Sequence, residues 1–100
     1  MDTPNLSTFG DRLRWARTIS GASQRELDRL IGTAEGHTGT IEARKAPVAQ
    51  TDTIARYADA LGVSRSWLAW GEGKAPTERR LRAAIEAARL AYAARAAVAA

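Results

Sequence analysis

Few residues in this chain carry the side chains from which catalysis is built. His37 is the single imidazole and there is no cysteine. A thiolate nucleophile and a thiol-containing zinc site are therefore both excluded, and a histidine-based site would have one ring to work with. The eleven Asp and Glu residues form no metal-ligand set, and no nucleophile stands beside a base. No phosphate-cradling glycine loop followed by lysine is present either. The expectation is a protein that is not an enzyme, with no cofactor and no metal.

What the chain does carry is positive charge, unevenly spread. Residues 1–76 hold ten Lys and Arg against nine Asp and Glu, a net of +1. Residues 77–100 hold Arg79, Arg80, Arg82, Arg89 and Arg95 against Glu78 and Glu86, a net of +3. A local cluster of cations is what attracts a polyanion such as nucleic acid. The same arginines would also serve to solubilise an alanine-rich helix, so charge alone does not choose.

One hundred residues, 45% of them hydrophobic and 26% charged, make one small domain with one modest core. Met1 to Ser7 has no basic stretch followed by an apolar run, and no window reaches the roughly 18 apolar residues of a membrane span. A soluble, cytoplasmic protein with no membrane partner is expected.

Apolar positions recur every three or four residues along most of the chain, and no segment alternates as a strand does. The predicted fold class is all-α. In the first helix Phe9, Leu13 and Ala16 share a face, and Gly21 ends it. The second opens on Ser23-Gln24-Arg25-Glu26, a capping box, buries Leu27, Leu30 and Ile31, and closes at Gly32. A weak third helix follows over about Ala34 to Ala43, anchored by Ile41, then a loop from Lys45 to Gln50. Thr51 to Leu61 forms a fourth helix with Ile54, Tyr57, Ala58 and Leu61 on one face, stopped by Gly62. A short fifth runs from the cap Ser64 through Trp67, Leu68 and Trp70 to Gly71, its aromatic surface plugging the core. Gly71 to Pro76 reads as a linker, and Thr77 caps a last Ala- and Arg-rich helix of about twenty residues.

Two helices joined by a tight glycine turn are the layout of a helix-turn-helix. Phe9-Gly10-Asp11-Arg12-Leu13-Arg14, Ser23-Gln24-Arg25-Glu26-Leu27, Leu30-Ile31-Gly32, Ile41-Glu42, Ala60-Leu61-Gly62-Val63-Ser64 and Trp67-Leu68 occur in an order and spacing that resembles the Cro/CI phage-repressor family (XRE, or lambda-repressor-like). The resemblance covers residues 8–73. It leaves 1–7 as a flexible N-terminus and 74–100 as linker and C-terminal helix. It implies a five-helix DNA-binding domain that acts as a dimer on a palindromic operator, with the third helix in the major groove of double-stranded DNA. On that pattern Gln24, Arg44 and Lys45 would meet phosphates, and Thr33, Glu35, Gly36, His37 and Thr40 would face base edges.

Several positions depart from the pattern. The segment Thr33 to Glu42 has two carboxylates and no Arg, Lys, Gln or Asn, the types that usually make bidentate contacts to guanine and adenine. Glu35 is left to accept from a cytosine amino group or to find a side-chain partner. Gly36 and Gly39 inside a helix would each cost about 1 kcal/mol relative to Ala, unless glycine serves to bring the helix axis close to the bases. Asp28 stands where the family prefers a small residue, Thr38 replaces a buried aliphatic, and Arg44 replaces the glycine that usually ends the third helix. A buried Asp28 calls for a hydrogen-bonded partner in Thr38 or His37; a solvated Asp28 on a slightly splayed helix pair is the alternative.

One such unit reads few base pairs, so a homodimer is expected. One candidate surface lies around the fifth helix, at Trp67 or Trp70. The other is the terminal helix, where Leu81, Ala84, Ile85, Ala88, Ala91 and Tyr92 make a stripe that must be covered. Its copy would cover it, or the stripe would pack back on the domain over Trp15 and Ile19; a tail laid on DNA phosphates is the third arrangement. The leading function is a small bacterial or phage transcriptional regulator. The alternatives are an antitoxin, with the terminal helix covering a protein partner, and an antirepressor-type interaction module.

Overall fold

The computed structural model describes residues 6–44 and 50–99, whose regular structure is entirely helical. The order is α1 Phe9–Ser20, α2 Gln24–Ile31, α3 His37–Ala43, α4 Thr51–Leu61, α5 Arg65–Trp70 and α6 Glu78–Ala99. This is the all-α arrangement predicted, five helices followed by a sixth. Four helix starts have a hydroxyl cap: the side-chain oxygens of Thr8, Ser23, Ser64 and Thr77 accept from the backbone N–H three residues on, at 2.9–3.2 Å. Each satisfies an amide that the helix cannot.

The capping box at Ser23 is only half made. Ser23 Oγ accepts from the Glu26 N–H at 3.0 Å, but the Glu26 carboxylate turns to Arg89 of α6, whose Nε and Nη2 donate to it at 2.9 and 2.8 Å. A guanidinium offers two parallel donors, which outweigh one backbone N–H. That pair holds the Glu26 carboxyl below its ordinary range; the Arg89 hydrogen bond is the main cause, burial opposes it, and the charges of Arg89 and Arg29 add to it.

A single core joins the helices. Phe9, Leu13 and Ala16 of α1, Leu27 of α2, Ile41 of α3, Ile54, Tyr57, Ala58 and Leu61 of α4, and Trp67 and Leu68 of α5 are all buried in it. Leu81 and Ile85 of α6 belong to the same cluster, and Trp15 and Ile19 pack at its edge. Burying a side chain of this size stabilises by about 1.5–3 kcal/mol. The first part of the C-terminal stripe, around Leu81 and Ile85, is therefore docked on its own domain, against α1, α4 and α2, while Ala91 and Tyr92 are exposed. Leu81 and Ile85, candidates for a dimer surface, are corrected to core residues; Trp67 is buried as the expected core plug, which removes it as a dimer candidate, and its ring meets Trp15 edge-on with centroids 5.9 Å apart. Trp70 is the converse correction, because it is 63% exposed and plugs nothing. Ala88 and Tyr92 stay at least partly accessible.

Two glycines allow close approach. A methyl at Gly10 would sit 2.5 Å from the Ile41 carbonyl oxygen, so α1 and the end of α3 meet backbone to backbone. A methyl at Gly62 would sit 2.6 Å from Ala84 Cβ, where α6 crosses the α4–α5 turn. Arg12, buried in the first turn of α1, ties the far end of the domain. Its Nε, Nη1 and Nη2 donate to the carbonyls of Leu68, Leu6 and Ala69 at 2.8, 2.7 and 2.7 Å. Leu68 and Ala69 lie in the last turn of α5, where free carbonyls favour a cation. Burial lowers the Arg12 pKa and the neighbouring Asp11 charge works against that shift.

Candidate nucleic-acid interface

The third helix starts three residues later than its sequence predicts, at His37 rather than Ala34. Gly36 is the reason. It sits at φ +91°, just before the helix, in a left-handed conformation that residues with a side chain rarely adopt. It is the last residue of the turn rather than a weak point inside a helix, and the interior-helix cost assigned to it does not apply. Arg44 needs no such freedom: α3 ends there in an extended conformation at φ −79°, which any residue adopts.

Asp28, buried in the middle of α2, organises this turn. Its Oδ2 accepts from the Gly36 N–H at 2.9 Å. Its Oδ1 accepts from the Thr38 N–H at 2.9 Å and from the Thr38 hydroxyl at 2.5 Å. The carboxylate thus caps α3 from another helix and satisfies amides that Gly36, lacking a side chain, cannot. The pairing with Thr38 expected from sequence is present. His37 joins by a longer route: Thr38 Oγ1 lies 2.9 Å from Tyr57 Oη, and Tyr57 Oη 2.9 Å from His37 Nδ1. The His37 and Tyr57 rings lie parallel, with centroids 6.1 Å apart. Burial is the main cause that pushes the Tyr57 phenol up to about 12, and the charges of Asp28 and Glu42 add to it.

A second network holds the opposite end of α3. The Glu42 side chain is fully buried. Arg17 of α1 donates to both of its oxygens, at 2.6 Å from Nε and 3.0 Å from Nη2. Gln24 Nε2 donates at 2.9 Å and the more exposed Arg14 Nε at 3.4 Å. Three elements therefore converge on one carboxylate. Bidentate geometry with further donors is what makes a buried ion pair tolerable.

The predicted contact residues divide accordingly. Gln24 has its amide nitrogen committed to Glu42, and its oxygen lies against Gly39, 3.2 Å from where a Cβ would be. Thr33, Glu35 and Gly36 belong to the turn, while His37 and Thr40 lie on α3. The Thr40 hydroxyl donates back to the Gly36 carbonyl at 3.0 Å. Glu35 has the side-chain partner it required: Arg25 Nη2 is 2.9 Å from its Oε1, both groups being exposed. Thr33, Glu35, Arg25, Asp28 and Arg29 border a shallow cleft of about 250 Å3. Arg44 is exposed at the end of α3, and Lys45 lies outside the described residues. Sequence reasoning misses Arg25 and Arg29, two cations one turn apart on α2 beside the turn; their i, i+4 spacing is the signal that points to them. It also misses the Glu42 cluster, for which no local pattern exists. Among the described residues no group of His, Asp and Glu could hold a metal ion.

The arrangement is a helix, a glycine-containing turn, and a second helix fixed at both ends by buried carboxylates. It is the geometry of a helix-turn-helix module, which lays its second helix along a DNA groove. A family model described as a helix-turn-helix domain matches residues 8–70. The chain belongs to that helix-turn-helix family, and the match is consistent with the Cro/CI-type resemblance. DNA binding is the activity the family points to. No solved structure matches the chain at a significant level. No helix among the described residues is long and apolar enough to cross a membrane.

Proposed function

We propose that the protein is a sequence-specific transcriptional regulator. In this reading it is a small repressor of bacterial or phage type that works in the cytoplasm as a homodimer on a palindromic operator, without catalysis or cofactor. The observation that carries this reading is the double anchoring of α3. Asp28 caps its start and Glu42 secures its end, so the reading helix keeps its orientation without DNA. A preorganised helix loses little ordering entropy on docking. Phosphate contacts would come from Arg44, Lys45 and the start of α2 at Gln24, and base contacts from Thr33, Glu35, Gly36, His37 and Thr40. Trp70, Ala88 and Tyr92 remain as accessible candidates for the dimer surface.

The test is a mobility shift with the DNA flanking the protein's own gene, at two salt concentrations and with unrelated competitor. The expected result is binding to one palindrome that weakens steeply with salt. Arg44→Ala and Lys45→Ala should weaken binding to all duplexes, whereas Thr40→Ala should change preference at one position. No preference over competitor at either salt would overturn the reading. The weight would then pass to a protein-interaction function, as antitoxin or antirepressor. The observation favouring that second reading is the distal half of α6, where Leu90 and Val98 are 65% and 87% exposed.

A further inference from the structure

Each hydroxyl in a hydrogen-bonded chain has one proton to donate, so a chain with one fixed end fixes every proton along it. The chain Asp28–Thr38–Tyr57–His37 has such an end. Asp28 already faces two backbone N–H groups whose hydrogens cannot move, from Gly36 and Thr38, and so enters the chain as acceptor. The Thr38 hydroxyl, 2.5 Å from Oδ1, must donate to it. Its proton is then used, and the contact of 2.9 Å with Tyr57 requires the phenol to donate to Thr38. The Tyr57 proton is used in turn. The contact of 2.9 Å between Tyr57 Oη and His37 Nδ1 therefore requires a hydrogen on Nδ1.

A neutral imidazole carries one N–H, so Nε2 is left as a bare lone pair. No residue among those described hydrogen-bonds to Nε2. Since no buried side-chain nitrogen or oxygen lacks a partner, Nε2 meets solvent. His37 is the first residue of α3, and the nearest charged candidate reader in the chain, Glu35, is also an acceptor. An acceptor in the major groove finds its complement in an exocyclic amino group, cytosine N4 or adenine N6, and is repelled by guanine O6 and N7.

We propose that Asp28, Thr38 and Tyr57 hold His37 as the Nδ1–H tautomer, and that its Nε2 reads an exocyclic amino group at one position of the operator. The second half rests on the DNA-binding reading; the first does not. Tyr57 is a positioning residue that acts through His37.

The tautomer is read without DNA. His37 is the only histidine, so protein labelled with 15N-histidine gives one imidazole, and long-range 1H–15N correlation of the neutral ring distinguishes the two nitrogens. The expected result is a protonated Nδ1 and an unprotonated Nε2, with the balance moving toward Nε2–H in Tyr57→Phe. A predominant Nε2–H form in the unmodified protein would overturn the assignment, whether or not the variant folds. For the reading, cytosines and adenines of the operator are replaced singly by analogues lacking the amino group. One replacement should weaken binding on the order of tenfold, and His37→Ala should abolish that penalty. A penalty equal in both proteins, or no specific duplex binding at all, would overturn the role of Nε2 while leaving the tautomer result to stand by itself.

Discussion

The Asp28 carboxylate of α2 accepts both the backbone N–H and the hydroxyl of Thr38, ten residues further on. The two helices of the motif are thereby joined by a capping contact made across the turn. An isolated helix of seven residues is not stable in water, so α3 depends on such contacts for its existence.

Asp28→Ala would leave the backbone N–H groups of Gly36 and Thr38 without their acceptor. The expected loss is about 2–4 kcal/mol by urea denaturation. Hydrogen exchange at Gly36 and Thr38 should accelerate more than at α1 amides. Asp28→Asn should fail to restore the protein, since its amide group turns a donor toward a donor.

Arg17 and Arg14 both reach Glu42, but the Arg17 side chain is only 14% exposed and that of Arg14 is 58% exposed. Arg17→Met should destabilise by on the order of 3–5 kcal/mol, because it strands a buried charge. Arg14→Ala should cost at most about 1 kcal/mol. Equal effects in equilibrium unfolding would contradict this division of roles.

Gly10→Ala and Gly39→Ala should act in opposite directions. At Gly10 the new methyl meets backbone at 2.5 Å, and forcing α1 from α3 should cost about 1–3 kcal/mol. At Gly39 the neighbour is the end of a flexible Gln24 side chain at 3.2 Å, and the change gains about 1 kcal/mol of helix propensity. A raised Tm for Gly39→Ala and a lowered one for Gly10→Ala are expected.

Tyr57 links stability to alkaline pH. Its phenol is pushed up to about 12 in the folded protein, against about 10 when unfolded. The contribution is fully present below pH 10 and is lost as pH rises from about 10 to 12, amounting to on the order of 2–3 kcal/mol. In a Tyr92→Phe background, absorbance at 295 nm should show the remaining phenol ionising only near pH 12 or upon unfolding. Ionisation near pH 10 with helicity intact would contradict it.

The helices were legible because apolar spacing and end residues are local properties. Phe9, Leu13 and Ala16 on one face of α1 and the Ser64 cap of α5 needed no tertiary information. The start of α3 was not legible, because whether Gly36 lies inside a helix or just before it depends on the carboxylate of Asp28. Asp28 itself could be flagged as a charge in need of a partner, and the partner was deducible. Glu42 and Arg12 could not be found this way. Their donors and acceptors lie up to 57 residues away, and a periodicity argument assigns charged residues to the surface. The terminal stripe was recognisable as apolar, but whether its cover is a copy or the chain's own domain is decided by shape, at the contact between Gly62 and Ala84.

The docking of α6 also bears on how the chain is made. Leu81 and Ile85 complete a core whose first members, Phe9 and Leu13, are synthesised some seventy residues earlier, and Arg89 closes on Glu26 across 63 residues. A nascent chain leaving the ribosome therefore shows an unfilled apolar wall on α1 and α4 until α6 emerges. Contacts of such long sequence separation slow folding and prolong exposure to aggregation. The motif thus leaves the ribosome well before the helix that supports it.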